Sequence, residues 1–447
     1  MRLNKAVKTL KALDILLVNP KWNGFGNRKK IKVSEKLVHP LSLGIIAGII
    51  KQHNPNHKVR IVNQTIVEIP FNEKFDLIGI TVNTYTAETA YTISKKFREN
   101  RNKVLLGGVH PSLCPNDCLK HADSVLVGEA EEILPTILDD IIISQLKKIY
   151  IAPALGNMSI IPDACRQLYE MPKSNAAFVQ ATRGCNNLCK FCYLRYTPWQ
   201  AYRKRPVKDV ISEIESIKEK IILFVDDNLF VDKEYCRELF EELQKLKIFW
   251  WAQAPTTLAD DDELLEAAAK SGCFSLSYGF QTINELAIRD DKIIQNQIEN
   301  YKTIVSKTQR NGIFVDGTFI FGFESDEPTI FKNTVQAIKD MKLDSYTLYM
   351  LTVYPDTDYY YEYKNNQRLI TTDLSKFDWD HATIASGKMS AKDLEEGVKW
   401  AYEELDKYYR FRFFNTAFKN IKLLFKSVKL TKFLISSGIQ RKYYNNY

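Results

Sequence analysis

No run of about 18 uninterrupted apolar residues occurs anywhere in the chain, so a membrane-spanning helix is not expected. The basic segment from Met1 to Ala12 lacks the apolar stretch of a secretory leader. Histidine is scarce, with six in 447 residues, and five of them lie between His39 and His121. Acidic residues stop at Asp406: from Lys407 to Tyr447 there are ten Lys or Arg and no Asp or Glu. The formal charge of +8 therefore belongs to the tail, and residues 1–406 sum to −2. A nucleic-acid partner would need a basic body and is not expected. Eight cysteines are too sparse for a disulfide framework in a chain this long, so a reducing, cytoplasmic setting is expected. Apolar residues at 45% and charged residues at 26% are ordinary for a globular protein, and the length allows two or three domains.

What is present is a cluster of thiols. Cys185, Cys189 and Cys192 stand in a CxxxCxxC spacing. Thiolates are soft ligands for zinc or iron–sulfur centres, and this spacing lets one short loop wrap a single centre. A closed zinc site needs four ligands. Beyond Cys192 the next cysteine is Cys236 and the next histidine His381, so no fourth ligand lies nearby in sequence. Three thiolates on a four-iron cluster leave one iron open to a substrate or cofactor. A zinc loop, or three unconnected buried thiols, are the alternative readings.

The segment resembles the cluster loop of radical S-adenosylmethionine enzymes, including the aromatic Phe191 before the third cysteine. The resemblance implies a 4Fe-4S cluster on Cys185, Cys189 and Cys192, with the open iron chelating the amino and carboxylate groups of S-adenosylmethionine. An electron from the cluster then breaks the carbon–sulfur bond to give a 5′-deoxyadenosyl radical. It also implies an external electron donor such as flavodoxin or ferredoxin.

Upstream, apolar runs at residues 13–18, 59–62, 77–82, 104–106 and 124–127 alternate with helical patterns at 41–51 and 87–100. This predicts a doubly wound, Rossmann-like α/β domain over residues 1–150, with ligands at the carboxyl ends of its strands. Loops 19–30, 83–86 and 107–111 fall there. Gly107-Gly108 permits close backbone approach to a bulky ligand, or simply a tight turn. The domain resembles the cobalamin-binding domain of one large class of radical S-adenosylmethionine enzymes, through Gly107-Gly108-Val109-His110-Pro111 and Val127-Gly128-Glu129-Ala130-Glu131-Glu132. That resemblance implies cobalamin as a cofactor, contacted by Gly107, Gly108 and His110, with Thr81 lining the slot for its nucleotide tail. The loop after the first strand, Asn19 to Gly26, has no histidine, so cobalt ligation by histidine there is not available. Cys114 and Cys118 read as an accidental pair.

Residues 151–172 hold Pro153, Gly156, Pro162 and Pro172 without a sustained period, which predicts a linker. From 173 to 354, six strand patterns at 178–181, 221–225, 249–252, 274–278, 313–321 and 346–353 alternate with helical ones at 207–220, 233–246, 261–270, 297–310 and 327–341. This predicts a partial (β/α)6, TIM-like barrel with its chemistry at the carboxyl ends of the strands. The cluster loop follows the first of these strands. By resemblance, Asp226, Asp227 and Asn228 after the second strand contact the methionyl amino group, though a helix N-cap is the simpler reading. Gly279 and Gln281 line the ribose, and Gly322 and Glu324, in Gly317 to Glu324, lie on the adenine side. Arg183 and Arg195 either tune the cluster or are solvated. The pair Trp250-Trp251 and the tyrosines at 346–363 read mainly as core.

Residues 355–447 form a helical C-terminal region, and the resemblance extends to about residue 410. Residues 411–435 interleave Phe, Leu and Ile with lysines at helical spacing. Such a helix either caps the barrel or lies on an anionic membrane surface, which would give a peripheral membrane contact. Taken together, the expectation is an enzyme that methylates an unactivated carbon of a small-molecule or lipid-like substrate. Cobalamin-linked cyclisation, rearrangement or oxidation is the second reading, and a zinc-loop regulatory protein the third.

Overall fold

Strands that are apolar on both faces need a covering layer on each side, and this requirement shapes the first of two units. A computed structural model describes residues 11–22, 40–169 and 176–426, with side chains as far as Tyr409; the part of the 19–30 loop beyond Trp22 and the end of the basic tail lie outside the described residues. The first unit runs β1 (Asp14–Asn19), α1 (Leu41–His53), β2 (Lys58–Asn63), β3 (Leu77–Thr81), α2 (Ala87–Glu99), β4 (Val104–Gly107), α3 (Val109–Leu113), α4 (Pro115–His121), β5 (Ser124–Val127), α5 (Leu134–Ile142) and β6 (Ile149–Ile151). Its sheet is parallel throughout, in the order β2-β1-β3-β4-β5-β6. The chain changes direction of travel across the sheet between β1 and β3, which is the switch point where doubly wound sheets open a ligand crevice.

The segment expected as a linker differs from that expectation. Ile151 ends β6, and Met158, Ile161, Ala164 and Tyr169 are buried against the first core beside Leu43 and Ile45. Pro162 packs so closely on α1 that a Cβ added to Gly48 would lie 2.8 Å from its Cγ. The prolines end regular structure without loosening it, because the apolar residues between them still gain by burial.

The second unit holds β7 (Ala177–Val179), β8 (Thr182–Arg183), β9 (Arg203–Lys204), α6 (Val207–Ser216), β10 (Ile221–Phe224), α7 (Lys233–Leu246), β11 (Phe249–Ala254), α8 (Asp262–Lys270), β12 (Cys273–Gln281), α9 (Glu285–Asp290), α10 (Tyr301–Arg310), β13 (Phe314–Phe321), α11 (Thr329–Met341), β14 (Ser345–Met350), α12 (Asp358–Asn365) and α13 (Ala391–Lys426). Six strands pair in parallel in the order β7-β10-β11-β12-β13-β14, the partial barrel read from the sequence. Asp232 and Asp261 start α7 and α8 by accepting hydrogen bonds from Tyr235 N (3.0 Å) and Leu264 N (2.9 Å).

Alternation along the strands divides their side chains between two faces. Trp250, Phe224, Leu276, Val315 and Leu348 are buried in the large core with the helix residues Val210, Leu239, Leu264, Val305 and Ile338. Trp251 instead joins Phe178, Leu223 and Phe249 around Ala176, Ile221 and Phe274, a cluster to which no helix contributes and which therefore belongs to the inner face. The tryptophan pair is thus core on both sides of one strand.

Helix α13 covers α11 and β14 with Leu394, Val398, Ala401 and Leu405, so its residues 391–409 cap the barrel; the side chains of 411–435 lie outside the described residues. Gly397 permits that approach: a Cβ there would fall 2.2 Å from Phe331 Cε2. Helix propensity favours Gly397→Ala by about 1 kcal/mol, but overpacking a buried ring costs about 1–3 kcal/mol. We expect the substitution to lower the melting temperature in thermal denaturation; an increase would show that the helices separate freely here.

Candidate cluster-binding site

The three cysteines lie on a loop that leaves the barrel after its first strand and is closed at its base by a two-residue antiparallel ladder, Thr182 with Lys204 and Arg183 with Arg203. Gly184 turns the chain into the loop with φ +84°, and a Cβ there would lie 2.3 Å from the Ala201 carbonyl oxygen. Only glycine fits both conditions. Cys185 N then donates to Gln200 O at 2.8 Å, and Cys192 N to Cys189 O at 3.1 Å. The Arg195 guanidinium donates to Leu188 O at 2.6 Å, so this arginine holds the loop's own backbone. Arg183 Nε donates to Gln180 Oε1 at 2.8 Å.

Asp226, Asp227 and Asn228, immediately after β10, each hold a successive part of this loop. Asp226 Oδ1 accepts from Ala181 N (3.0 Å), Thr182 Oγ1 (2.7 Å) and Thr182 N. Asp227 Oδ2 accepts from Gly184 N at 2.9 Å. The Asn228 side-chain amide reaches Cys185 Sγ at 3.6 Å, while its oxygen caps the following turn through Phe230 N at 3.2 Å. Asp226 is 2% exposed; its Oδ1 is engaged by the loop, while its Oδ2 is buried without a partner among the described residues. The N-cap reading holds for Asn228 alone, which caps the turn that follows it, since α7 begins at Lys233 with Asp232 as its cap.

A second wall comes from residues 291–296, which sequence reasoning did not single out, and from α12, whose tyrosines it read mainly as core. Lys190, between the second and third cysteines, donates its backbone N–H to Asp291 O (2.9 Å) and its ammonium to Glu362 (2.7 Å), and lies 4.6 Å over the Tyr359 ring. Tyr359 Oη donates to the buried Asp291 Oδ1 at 2.7 Å. Gln295 Nε2 donates to Cys189 Sγ at 3.4 Å. Phe191 meets Phe323 edge-on, with centroids 6.2 Å apart, within an apolar cluster that contains Cys189, Ile293, Tyr359 and Tyr363. A buried Asp and a half-buried Gln in a segment of no strong period carry no motif, which is why the sequence alone did not reveal them.

The thiols suit a cationic centre of several metals. Burial, together with negative charge on Cys189, Asp227 and Cys185, pushes the Cys192 thiol up to about 12. Burial also raises Cys189, against the Gln295 hydrogen bond. Thiolates so placed need positive charge beside them, which irons supply. Among the described residues no three His, Cys, Asp or Glu side chains converge as the ligands of one ion would. Thiolates bound to separate irons of one cluster need not converge in that way.

Two other strand ends of this unit carry Gly279 with Gln281 and Gly322 with Glu324. Gln281, at φ +64°, folds back so that its Nε2 fills the space where a Gly279 Cβ would stand. Gly322 N and Phe323 N donate to Asp326 Oδ2 at 3.0 and 3.1 Å. Glu324, in the same turn, forms an ion pair with Arg368.

In the first unit, Thr81 ends β3 and pairs with Gly107 of β4. Gly108 has φ +112°, and what approaches it is the chain's own backbone: a Cβ would lie 2.9 Å from Val82 O. His110 is 1% exposed, with Nε2 3.1 Å from Tyr91 Oη, so its ring turns into the domain. At the carboxyl ends of β1 and β3, Trp22 packs on Tyr85 with centroids 4.8 Å apart, and Thr84 Oγ1 is buried without a partner among the described residues. An unpaired buried hydroxyl beside a switch point fits a crevice completed by a bound molecule.

Burial pushes the Asp226 carboxyl up to about 7, against the Thr182 hydroxyl and the backbone donors of Thr182 and Ala181, which favour its ionised form. A carboxyl whose pKa is higher folded than unfolded stabilises the fold while protonated, and that contribution falls as pH rises from about 4 through about 7. Asp226→Asn keeps an acceptor for the three donors and cannot ionise. Its melting temperature relative to the unaltered protein should climb between about pH 5 and pH 8; a difference flat across that range would contradict the assignment.

Two family models match the chain: the Radical SAM superfamily over residues 179–333 and the B12 binding domain over residues 30–138. The bacteriochlorophyllide d C-12(1)-methyltransferase of Chlorobaculum tepidum is 29% identical over 72% of this chain and 73% of its own. The bacteriochlorophyllide d C-8(2)-methyltransferase of the same organism is 26% identical over 84% of this chain and 86% of its own. Among solved structures, the cobalamin-dependent S-adenosylmethionine radical enzyme OxsB, with aqua-cobalamin and S-adenosylmethionine bound, shares the fold at TM-score 0.69 and 12% identity, over 89% of this chain and 67% of its own. With the cluster loop at the mouth of a parallel partial barrel and a switch-point sheet ahead of it, the chain belongs to the radical S-adenosylmethionine enzymes that carry a cobalamin-binding domain.

Proposed function

We propose that this protein methylates an unactivated carbon of a small-molecule or lipid-like substrate. The observation that carries the reading is the loop of Cys185, Cys189 and Cys192, whose protein ligands stop at three and whose position is fixed from both sides. When bound, the cluster supplies the electron that splits the carbon–sulfur bond of S-adenosylmethionine, and cobalamin supplies the methyl group. The chain's own residues do the rest. Asp226 and Asp227 fix where the loop begins, and Lys190 fixes its far end through Asp291 and Glu362. Phe191, Phe323, Tyr359 and Tyr363 exclude water from one side of the thiols, which protects a reactive intermediate from quenching. The two Chlorobaculum methyltransferases support the class of reaction rather than the substrate. An external one-electron donor, flavodoxin or ferredoxin, is part of the same proposal.

Anaerobic reconstitution should give about four irons per chain and, with a strong reductant, 5′-deoxyadenosine from S-adenosylmethionine. Replacing any one of the three cysteines with Ala should abolish that product. S-adenosylhomocysteine together with a methylated substrate supports methyl transfer, whereas deoxyadenosine without methylation supports cyclisation, rearrangement or oxidation. Stoichiometric zinc in place of iron would overturn the proposal.

No helix among the described residues is long and apolar enough to cross a membrane. The basic segment after Tyr409 is proposed to give a peripheral contact with anionic lipid only if it does not continue the cap. Equal flotation on anionic liposomes by the full chain and a chain ending at Tyr409 would remove that contact.

A further inference from the structure

We infer that Gln295 is a positioning residue for the cluster, setting its reduction potential through the hydrogen bond to Cys189. This rests on the cluster reading above. Gln295 Nε2 lies 3.4 Å from Cys189 Sγ, and this is its one side-chain hydrogen bond among the described residues. Its oxygen, Oε1, is buried without a partner, so the sulfur alone decides which way the amide faces. The residue is not required to hold its own segment. That task falls to Asn296, which donates to Gly279 O (2.9 Å) and Phe280 O (2.8 Å) and accepts from Thr256 Oγ1 (2.9 Å). Asp291, tied to Lys190 N and Tyr359 Oη, fixes the other end. The amide is thus presented to the sulfur from a rigid support.

Reduction adds negative charge to a cluster and its thiolates, and an N–H aimed at a ligand sulfur stabilises the reduced form. Asn228 makes the corresponding approach to Cys185 at a longer 3.6 Å. Loss of the Gln295 donor should therefore lower the midpoint potential.

The test compares the full chain with Gln295→Leu and Gln295→Met after anaerobic reconstitution, reading iron content, thermal stability and the midpoint potential by redox titration followed by electron paramagnetic resonance. The expected result is equal iron in all three and a lower potential in both variants, with slower deoxyadenosine formation when a weak reductant replaces a strong one. Equal potentials at equal iron would overturn the inference, as would loss of iron in both variants, which would make Gln295 a structural support. If the unaltered chain itself takes up no iron, the cluster reading fails instead.

Discussion

The cluster loop stays where it is because three consecutive side chains at the end of β10 take hold of it. Asp226 gathers the donors of Ala181 and Thr182, Asp227 takes Gly184, and Asn228 reaches Cys185. Hydrogen bonds of this kind are each worth about 0.5–1.5 kcal/mol net, and a donor left without its acceptor in this buried place costs about 1–3 kcal/mol. The arrangement turns a long excursion between β8 and β9 into a fixed platform. Precision of this kind matters for a metal centre, whose chemistry depends on the exposure and hydrogen bonding of its ligands.

The other support comes from outside the six-stranded sheet's own motif segments. Lys190 is tied to Asp291 and Glu362, and Tyr359 donates its hydroxyl to Asp291 Oδ1. The segment after the last strand is therefore part of the cluster's surroundings, with Tyr359, Tyr360, Tyr363 and Phe377 sharing one apolar cluster with Cys189. The first unit treats its polar residues differently. His110 is spent on Tyr91, and Gly108 on the Val82 backbone, while Trp22, Tyr85 and Thr84 lie at the carboxyl ends of β1 and β3.

Much of the fold was legible. Runs of Val, Ile and Leu with turns between them located eleven of the twelve strands in the two parallel sheets, and α7 began and ended where its period did. The exception was β6, three residues with an exposed end and Pro153 just beyond it. The thiol spacing located the loop. The turn from Gly322 to Glu324 was legible only as a position, because a turn motif states which residues are near a strand end and not which way each one faces; Asp326 shapes that turn by drawing in Gly322 N and Phe323 N.

By itself the sequence determined the two parallel sheets, the order of their elements and the identity of the three thiols, because periodicity and spacing are local properties that survive without knowledge of contacts. Tertiary structure decided what surrounds those thiols. Asp291 and Gln295 lie about a hundred residues beyond Cys189 in the chain and reach it only once α9 and the turn after it have packed beside the loop. Hydrogen bonds between residues so far apart leave no period or spacing to read, and only the folded chain brings their donors and acceptors together.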